Sequence, residues 1–306
     1  MKAHAKPLVS IVVPSRNGWW LLDRNLPFLL AAVQEVGSGE VVVVDDGSED
    51  ATATHLAESP PELRLVQRHR QGGFPVAANH GVQAARGEYI FLVNNDVVVP
   101  RGVVGTLLEE LRDPKVFAVV PGISRTSTEV DESRTRLFFR RGLVVTTFWA
   151  GEQEPDYACG AAMCCRRSDF LALGGFDPLY VPFYWEDVDL SYRARKRGFL
   201  VKRVKEATVF HAHSQTIGAI KDRSFVQKVY ERNRIFFMWK NLTDPALWKR
   251  HLAWLPVKVV WDLIVYRDFV YGLAGALKGL GDVARARLRE KSESVLTDSQ
   301  LLRVGR

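Results

Sequence analysis

Short apolar runs rich in β-branched residues alternate with amphipathic stretches through the first part of the chain. Leu8 to Val13 (L-V-S-I-V-V) reads as a strand, and Pro14-Ser15-Arg16-Asn17-Gly18 closes it before a helical stretch from about Trp19 to Val36. The pattern then repeats: strand Glu40 to Val44, helix near Ala51 to Ala57, strand Leu63 to Gln67, helix Val76 to Ala85, and strand Tyr89 to Val93. Helix Val103 to Leu111 and strand Val116 to Val120 complete the run. Continuous rather than alternating apolar strands mean burial on both faces. The expectation is an α/β fold with a mostly parallel central sheet and helices on both sides.

From Ile123 to Arg141 the periodicity fades into Ser, Thr, Arg and Glu, which predicts a surface loop or short hairpin over one end of the sheet. Tyr157 to Arg167 is small and apolar, and Gly174-Gly175-Phe176-Asp177 then introduces Y-V-P-F-Y-W-E-D-V-D-L-S-Y, with a helix expected from Asp187 to Arg197. Strand Ala207 to Phe210 delivers His211 and His213, and Tyr230 to Lys240 is helical, with Arg232 and Arg234 on an exposed basic face or turned towards a phosphate. After Pro245 the character changes. Leu252 to Leu280 is aliphatic and aromatic with scattered charges, too interrupted to span a bilayer and too apolar to be solvated all round. It therefore lies on a membrane surface or packs against the core or a second subunit. The polar tail after Ser292 is expected to fray.

Composition narrows this only a little. The 306 residues are 47% hydrophobic and 25% charged, which is ordered globular material for one large domain or two. A net charge of +7 suits a partner carrying phosphate, without saying which. Nucleic acid is the weakest of these, because the basic residues form no stripe with a reading element. Three cysteines, Cys159, Cys164 and Cys165, lack a zinc spacing and read as buried thiols of a reduced, cytoplasmic protein.

The candidate chemistry sits where the strands end. Ligands of open α/β sheets settle beyond the carboxyl ends of the strands. There the chain presents Asp45-Asp46-Gly47-Ser48 and Asn94-Asn95-Asp96, either oxygen donors for a hard cation and a nucleoside or simply turn formers. Arg68-His69-Arg70-Gln71-Gly72-Gly73 suits a diphosphate approaching the backbone, or is a solvated basic loop. Asn79 is a poor helix former inside a helix, a sign of hydrogen-bonding duty. Glu186, Asp187 and Asp189 lie beside Tyr184 and Trp185; a carboxylate walled by aromatics is what a general base needs, and Asp189 with Arg193 is equally a helical i,i+4 pair. No G-x-G-x-x-G follows the first strand, and there is no P-loop.

Taken in order, V-S-I-V-V-P-S-R-N-G, V-V-D-D-G-S, G-G-F-P-V-A-A-N-H-G-V-Q-A-A-R-G-E-Y-I-F-L-V-N-N-D, G-G-F-D, E-D-V-D-L-S-Y-R and T-V-F-H resemble the inverting family 2 glycosyltransferases of GT-A fold, which include bacterial rhamnosyl- and galactofuranosyltransferases. The resemblance covers about residues 8 to 243. It implies a nucleotide-sugar half (1–122), an acceptor and catalytic half (123–243) and a C-terminal segment (244–306) that associates with membrane or oligomerises. It also implies site roles: Pro14 and Asp46 on the base, Arg16, Gly73, Asn79 and Asn95 on the rest of the donor, and Asp96 with His211 on Mg²⁺ or Mn²⁺. Asp187 becomes the catalytic base, with Trp185 and Glu186 near the acceptor. The implied activity is transfer from a UDP- or dTDP-sugar to a glycan or lipid-linked acceptor in cell-surface polysaccharide synthesis, at the inner face of the cytoplasmic membrane. Asn94 and Asn95 leave the metal motif a single anionic member. A nucleotidyltransferase, or a non-catalytic nucleotide-sugar-binding or scaffold protein, would share the core; the former calls for a glycine-rich first turn and the latter tolerates loss of Asp187.

Overall fold

The computed structural model describes residues 8–57, 59–125, 130–212 and 222–304; His213 lies outside the described residues. The first half follows the expected alternation: β1 (Val9–Ser15), α1 (Trp19–Val36), β2 (Gly39–Asp46), α2 (Thr52–Leu56), β3 (Leu63–Arg68), α3 (Phe74–Ala84), β4 (Tyr89–Val93), β5 (Val97–Val98), α4 (Val103–Glu110) and β6 (Val116–Arg125). Next come β7 (Thr135–Arg140), β8 (Leu143–Phe148), β9 (Ala162–Arg166), α5 (Arg167–Ala172), a 3₁₀ turn at Pro178–Tyr180, α6 (Glu186–Lys196) and β10 (Leu200–His211). The remainder is α7 (Arg223–Asn241), α8 (Pro245–Val265), α9 (Asp268–Lys278), α10 (Leu280–Glu293), α11 (Asp298–Leu301) and β11 (Arg303–Val304).

The main sheet has the order β3-β2-β1-β4-β9-β6-β10-β5 and is mostly parallel, with β9 and the edge strand β5 antiparallel to their neighbours. Each central strand divides its side chains between two cores. Val9, Ile11 and Val13 pack with Leu22, Leu26 and Leu29 of α1, whereas Val12, Val42 and Val44 pack with Ala77, Ala78 and Val82 of α3. Each such valine contributes on the order of 1.5–3 kcal/mol when fully buried. Helix α3 approaches so closely that a Cβ at Gly81 would sit 2.4 Å from Val12 Cγ1. The register aligns the carboxyl ends of β1 and β2, pairing Pro14 with Val44 and Ser15 with Asp45.

The polar stretch after Ile123 contains a hairpin, as one of the two expectations had it. Strands β7 and β8 meet at Arg141-Gly142, both at positive φ as a two-residue hairpin turn requires. With β11 they form a three-stranded sheet that shares a third core with α7 to α10. Two expectations are corrected here. Arg234 is buried and paired with Glu231, and Arg232 donates to the Val181 carbonyl, so neither lies on an exposed basic face. Residues 293–304 do not fray. Asp298 is fully buried and accepts hydrogen bonds from Tyr192 Oη (2.7 Å), Lys196 Nζ (2.9 Å) and the Thr243 and Asp244 amides (2.5 and 2.7 Å), while β11 pairs with β7. A buried carboxylate finds its compensation in such charged and dipolar partners.

Candidate active site

Three strand ends build one side of the site. Asp45 Oδ1 accepts the Ser48 amide at 2.9 Å, and Asn17 Oδ1 accepts the Glu49 amide at 2.7 Å, tying the loops after β1 and β2 together. Trp19 stacks on His55 at 4.2 Å behind them. Pro14 is half-buried at the rim; Arg16 reaches Glu49 at 3.4 Å, with its Nε buried and lacking a partner among the described residues. The Asp46 carboxylate accepts from the amides of Gly72 (2.9 Å) and Gly73 (2.8 Å) and from Arg68 (2.7 Å), so the arginine-glycine loop closes over it. Gly73 sits at φ 80°, and a Cβ there would lie 2.8 Å from Pro182 O, so only glycine fits. Asn79 spends both ends of its amide on Phe176, donating to its carbonyl (2.7 Å) and accepting from its amide (2.9 Å). That accounts for an asparagine inside α3.

The end of β4 turns at Asn94. Asn95 donates to Ser15 Oγ at 2.9 Å, and its carbonyl accepts from Asn25 at 2.7 Å. The next residue, Asp96, has its carbonyl bonded to the Ala212 amide at 3.0 Å, which brings the end of β10 across. His211 Nε2 consequently lies 3.1 Å from Asp96 Oδ1, and its Nδ1 lies 2.5 Å from Glu132 Oε2. Burial lowers the imidazole pKa, but the hydrogen bonds and charges of Asp96 and Glu132 outweigh it and raise the value to about 9. A cation held at Nε2 would have to displace that proton. Among the described residues no group of three or more His, Cys, Asp or Glu converges as a ready-made cage. An Asp oxygen and an imidazole nitrogen backed by a carboxylate fit a divalent ion that takes its other ligands from phosphate and water.

The other side is the turn before α6. Tyr184 and Trp185 both adopt left-handed backbone, φ 73° and 76°, a conformation that costs about 1–3 kcal/mol per residue and persists only where the surroundings over-determine it. Asn233 of α7 supplies that determination. Its Nδ2 donates to the carbonyls of Tyr180 (2.8 Å), Phe183 (2.9 Å) and Tyr184 (2.9 Å). Trp185 is buried against Tyr230 and Phe237, and Phe183 and Tyr184 are the half-buried rings beside it. Asp187 then falls in the first turn of α6, where the helix dipole favours an anion. Its Oδ2 accepts from the Gly160 amide at 2.8 Å and its Oδ1 from the Val188 amide at 2.7 Å. Burial nevertheless raises its pKa, against the pull of those amides. Glu186 stands well above the usual carboxylate range, through burial first and the charge of Asp187 second, and its Oε2 has no hydrogen-bond partner among the described residues.

One short segment joins the two sides. The Gly160 amide holds Asp187, and the Ala161 carbonyl accepts from the Asn94 amide at 2.9 Å. A second link runs from the Phe74 amide to the Pro182 carbonyl at 2.9 Å, coupling the Gly73 loop to the turn before α6. Glu132 and Asn233 went unread in the sequence. Glu132 lies in a polar stretch without periodicity and is marked by its contacts in space with His211 and Arg125, while Asn233 is flanked by two arginines that draw attention to charge.

Comparison with known proteins places this arrangement. The chain is 27% identical over 274 residues, covering 79% of it and 84% of the relative, to the N-acetylglucosaminyl-diphospho-decaprenol L-rhamnosyltransferase of Mycobacterium tuberculosis. Among solved structures it is similar in fold to GalNAc-T7 with UDP, GalNAc and Mn²⁺ (TM-score 0.60, 14% identity, 86% of this chain and 58% of that one). It is likewise similar to the mannosyltransferase PcManGT of Pyrobaculum calidifontis in complex with GDP-Man and Mn²⁺ (TM-score 0.58, 18% identity, 94% and 80%). Both show the GT-A fold. The family profile described as Glycosyl transferase family 2 matches residues 10–170, more than half of the chain, and the protein belongs to that family of glycosyltransferases.

Proposed function

We propose that the protein is an inverting glycosyltransferase that moves a sugar from a UDP- or dTDP-sugar to a hydroxyl of a glycan or lipid-linked acceptor in cell-surface polysaccharide synthesis. The observation that carries the reading is the Gly160-Ala161 step, which sets the Asp187 carboxylate and the Asp96 loop on either side of one peptide unit. Asp187 takes the proton of the acceptor hydroxyl as that oxygen attacks the anomeric carbon, and a single displacement inverts it. The backbone amides of Gly160 and Val188 fix the carboxylate in position. Pro14 and Asp46 border the nucleobase, with Arg16, Gly73, Asn79 and Asn95 shaping the rest of the donor pocket. Trp185 and Glu186 stand on the acceptor side. Asp96 and His211 would hold Mg²⁺ or Mn²⁺, which when bound neutralises the leaving diphosphate. On this reading the enzyme works at the inner face of the cytoplasmic membrane, in keeping with the lipid-linked acceptor named for the mycobacterial relative.

The first test is metal-dependent donor binding. Asp96→Ala is expected to weaken calorimetric binding of UDP or dTDP in Mg²⁺ or Mn²⁺ by at least about tenfold, the scale seen even for outer-shell metal contacts. Affinity for the free nucleoside should stay unchanged. Equal loss for both would make Asp96 a folding residue and remove the metal from the reading.

A second test is the pH profile. Asp187 must be ionised to accept a proton, and its pKa lies above the ordinary 3.8, so activity is full at higher pH and declines as pH falls through that raised value. The acid limb of kcat/KM should accordingly lie above pH 3.8 and vanish in Asp187→Asn. A limb that survives in the variant belongs to another group.

A further inference from the structure

Helix α8 is apolar nearly all round, a pattern that normally means complete burial, yet of its residues only Leu247, His251 and Asp262 are buried. Among the described residues no helix is long and apolar enough to cross a membrane. The protein covers one flank of α8: His251 bonds to the Gly142 carbonyl (2.8 Å) and Trp239 (3.0 Å), and Asp262 caps the start of α9 through the Phe269 amide (2.8 Å). The opposite flank carries Leu252, Val257, Val260, Trp261, Leu263 and Ile264, each at least 49% exposed. At 3.6 residues per turn the exposed positions from Leu252 to Val265 sweep an arc of about 220°, and none of them is charged.

We infer that α8 lies lengthwise in an anionic membrane surface, with this arc immersed at the boundary of headgroups and acyl chains. The occupant follows from shape and charge. A partner helix covers a stripe near 100° wide, whereas a fluid lipid phase covers a convex arc of any width. Every exposed charge from Pro245 to Lys278 is basic, namely Lys249, Arg267 and Lys278, while Asp262 is buried and Asp268 is turned to Ser224 Oγ at 2.8 Å. Trp254, Trp261, Tyr266 and Tyr271 are exposed in the same span, the residue types that settle at headgroup level.

The surface also leads to the chemistry. Lys228 stacks over Tyr271 at 4.7 Å, and on the same face of α7 Phe225 meets Phe183 at 6.4 Å, which meets Tyr184 at 5.1 Å, three residues before Asp187. A lipid-linked acceptor lying in the same leaflet would meet the base along these rings; that purpose rests on the proposed function, but the docking does not.

The test is flotation of the full-length protein, without substrate, on vesicles of phosphatidylcholine alone and with phosphatidylglycerol. Wild type is expected to float with the anionic vesicles at low salt and to release as salt rises. Trp261→Glu combined with Ile264→Glu, both at exposed positions, should lower that partitioning at least about tenfold without lowering the melting temperature. Wild type that stays soluble with both vesicle types, or that floats equally well with the double substitution, overturns the inference. A wild-type dimer that the double substitution splits assigns the arc to a second copy instead. None of these outcomes bears on transfer to a soluble acceptor, which tests the proposed function separately.

Discussion

Asp187→Asn is expected to lower the rate of sugar transfer by about 10² to 10⁴, the usual loss when a positioned general base is removed, while nucleotide binding survives. The amide keeps the shape and one accepting oxygen, so the contact with Val188 persists, but it cannot take a proton. Stability should change little, because the Gly160 amide loses its acceptor while the cost of ionising a buried carboxyl is removed. A carboxyl whose folded pKa is raised costs stability when ionised, and asparagine removes that cost. Single-turnover transfer with saturating donor and acceptor is the measurement, alongside a denaturant melt. Turnover within about threefold of wild type would reassign the base.

Two residues along the same helix the expectation reverses. Asp189 is fully buried and accepts from Tyr180 Oη (2.8 Å), Arg193 Nε (2.7 Å), Lys240 Nζ (2.9 Å) and Asn241 Nδ2 (2.8 Å). Asp189→Ala leaves the buried Arg193 without its carboxylate and Lys240 with Asp177 alone, and should cost about 3–5 kcal/mol, a large share of a typical stability of about 5–15 kcal/mol. Burial raises the pKa of this carboxyl, but Lys240 and Arg193 outweigh it and hold the group far below the usual range. Because the folded value is depressed, the stabilisation is fully present above the unfolded value, about 3.9, and is lost progressively as pH falls from there through the folded value. Urea unfolding at pH 7 and pH 3.5 checks both points. A loss below about 1 kcal/mol at pH 7 would show that the cluster is replaceable.

The sheet was legible because parallel strands buried on both faces leave continuous apolar runs, and β1, β2 and β4 carry them within a residue or two of the observed limits. The start of α6 was legible for a different reason: three acids at a helix amino end agree with its dipole. What escaped reading depends on distant partners. Asp298 sits in a polar tail with no periodicity, and its hydrogen bonds go to Tyr192, 106 residues away, and Lys196, 102 away. Nothing near it in sequence distinguishes it from a frayed end. The buried Arg234 likewise looks like any surface arginine until Glu231 and the ring of Phe269 close on it.

The anchoring of Asp298 and β11 also orders events during synthesis. Strands β1 to β4 pair with one another within the first part of the chain, whereas Tyr192 and Lys196 on α6 have to wait for a carboxylate 106 and 102 residues further along. Those strands can thus take shape on the nascent chain, while the helix that carries Asp187 reaches its final packing only after Asp298 has been made. A chain cut short before Asp298 is accordingly expected to keep the sheet of β1 to β4 and to leave the packing of α6 unfinished.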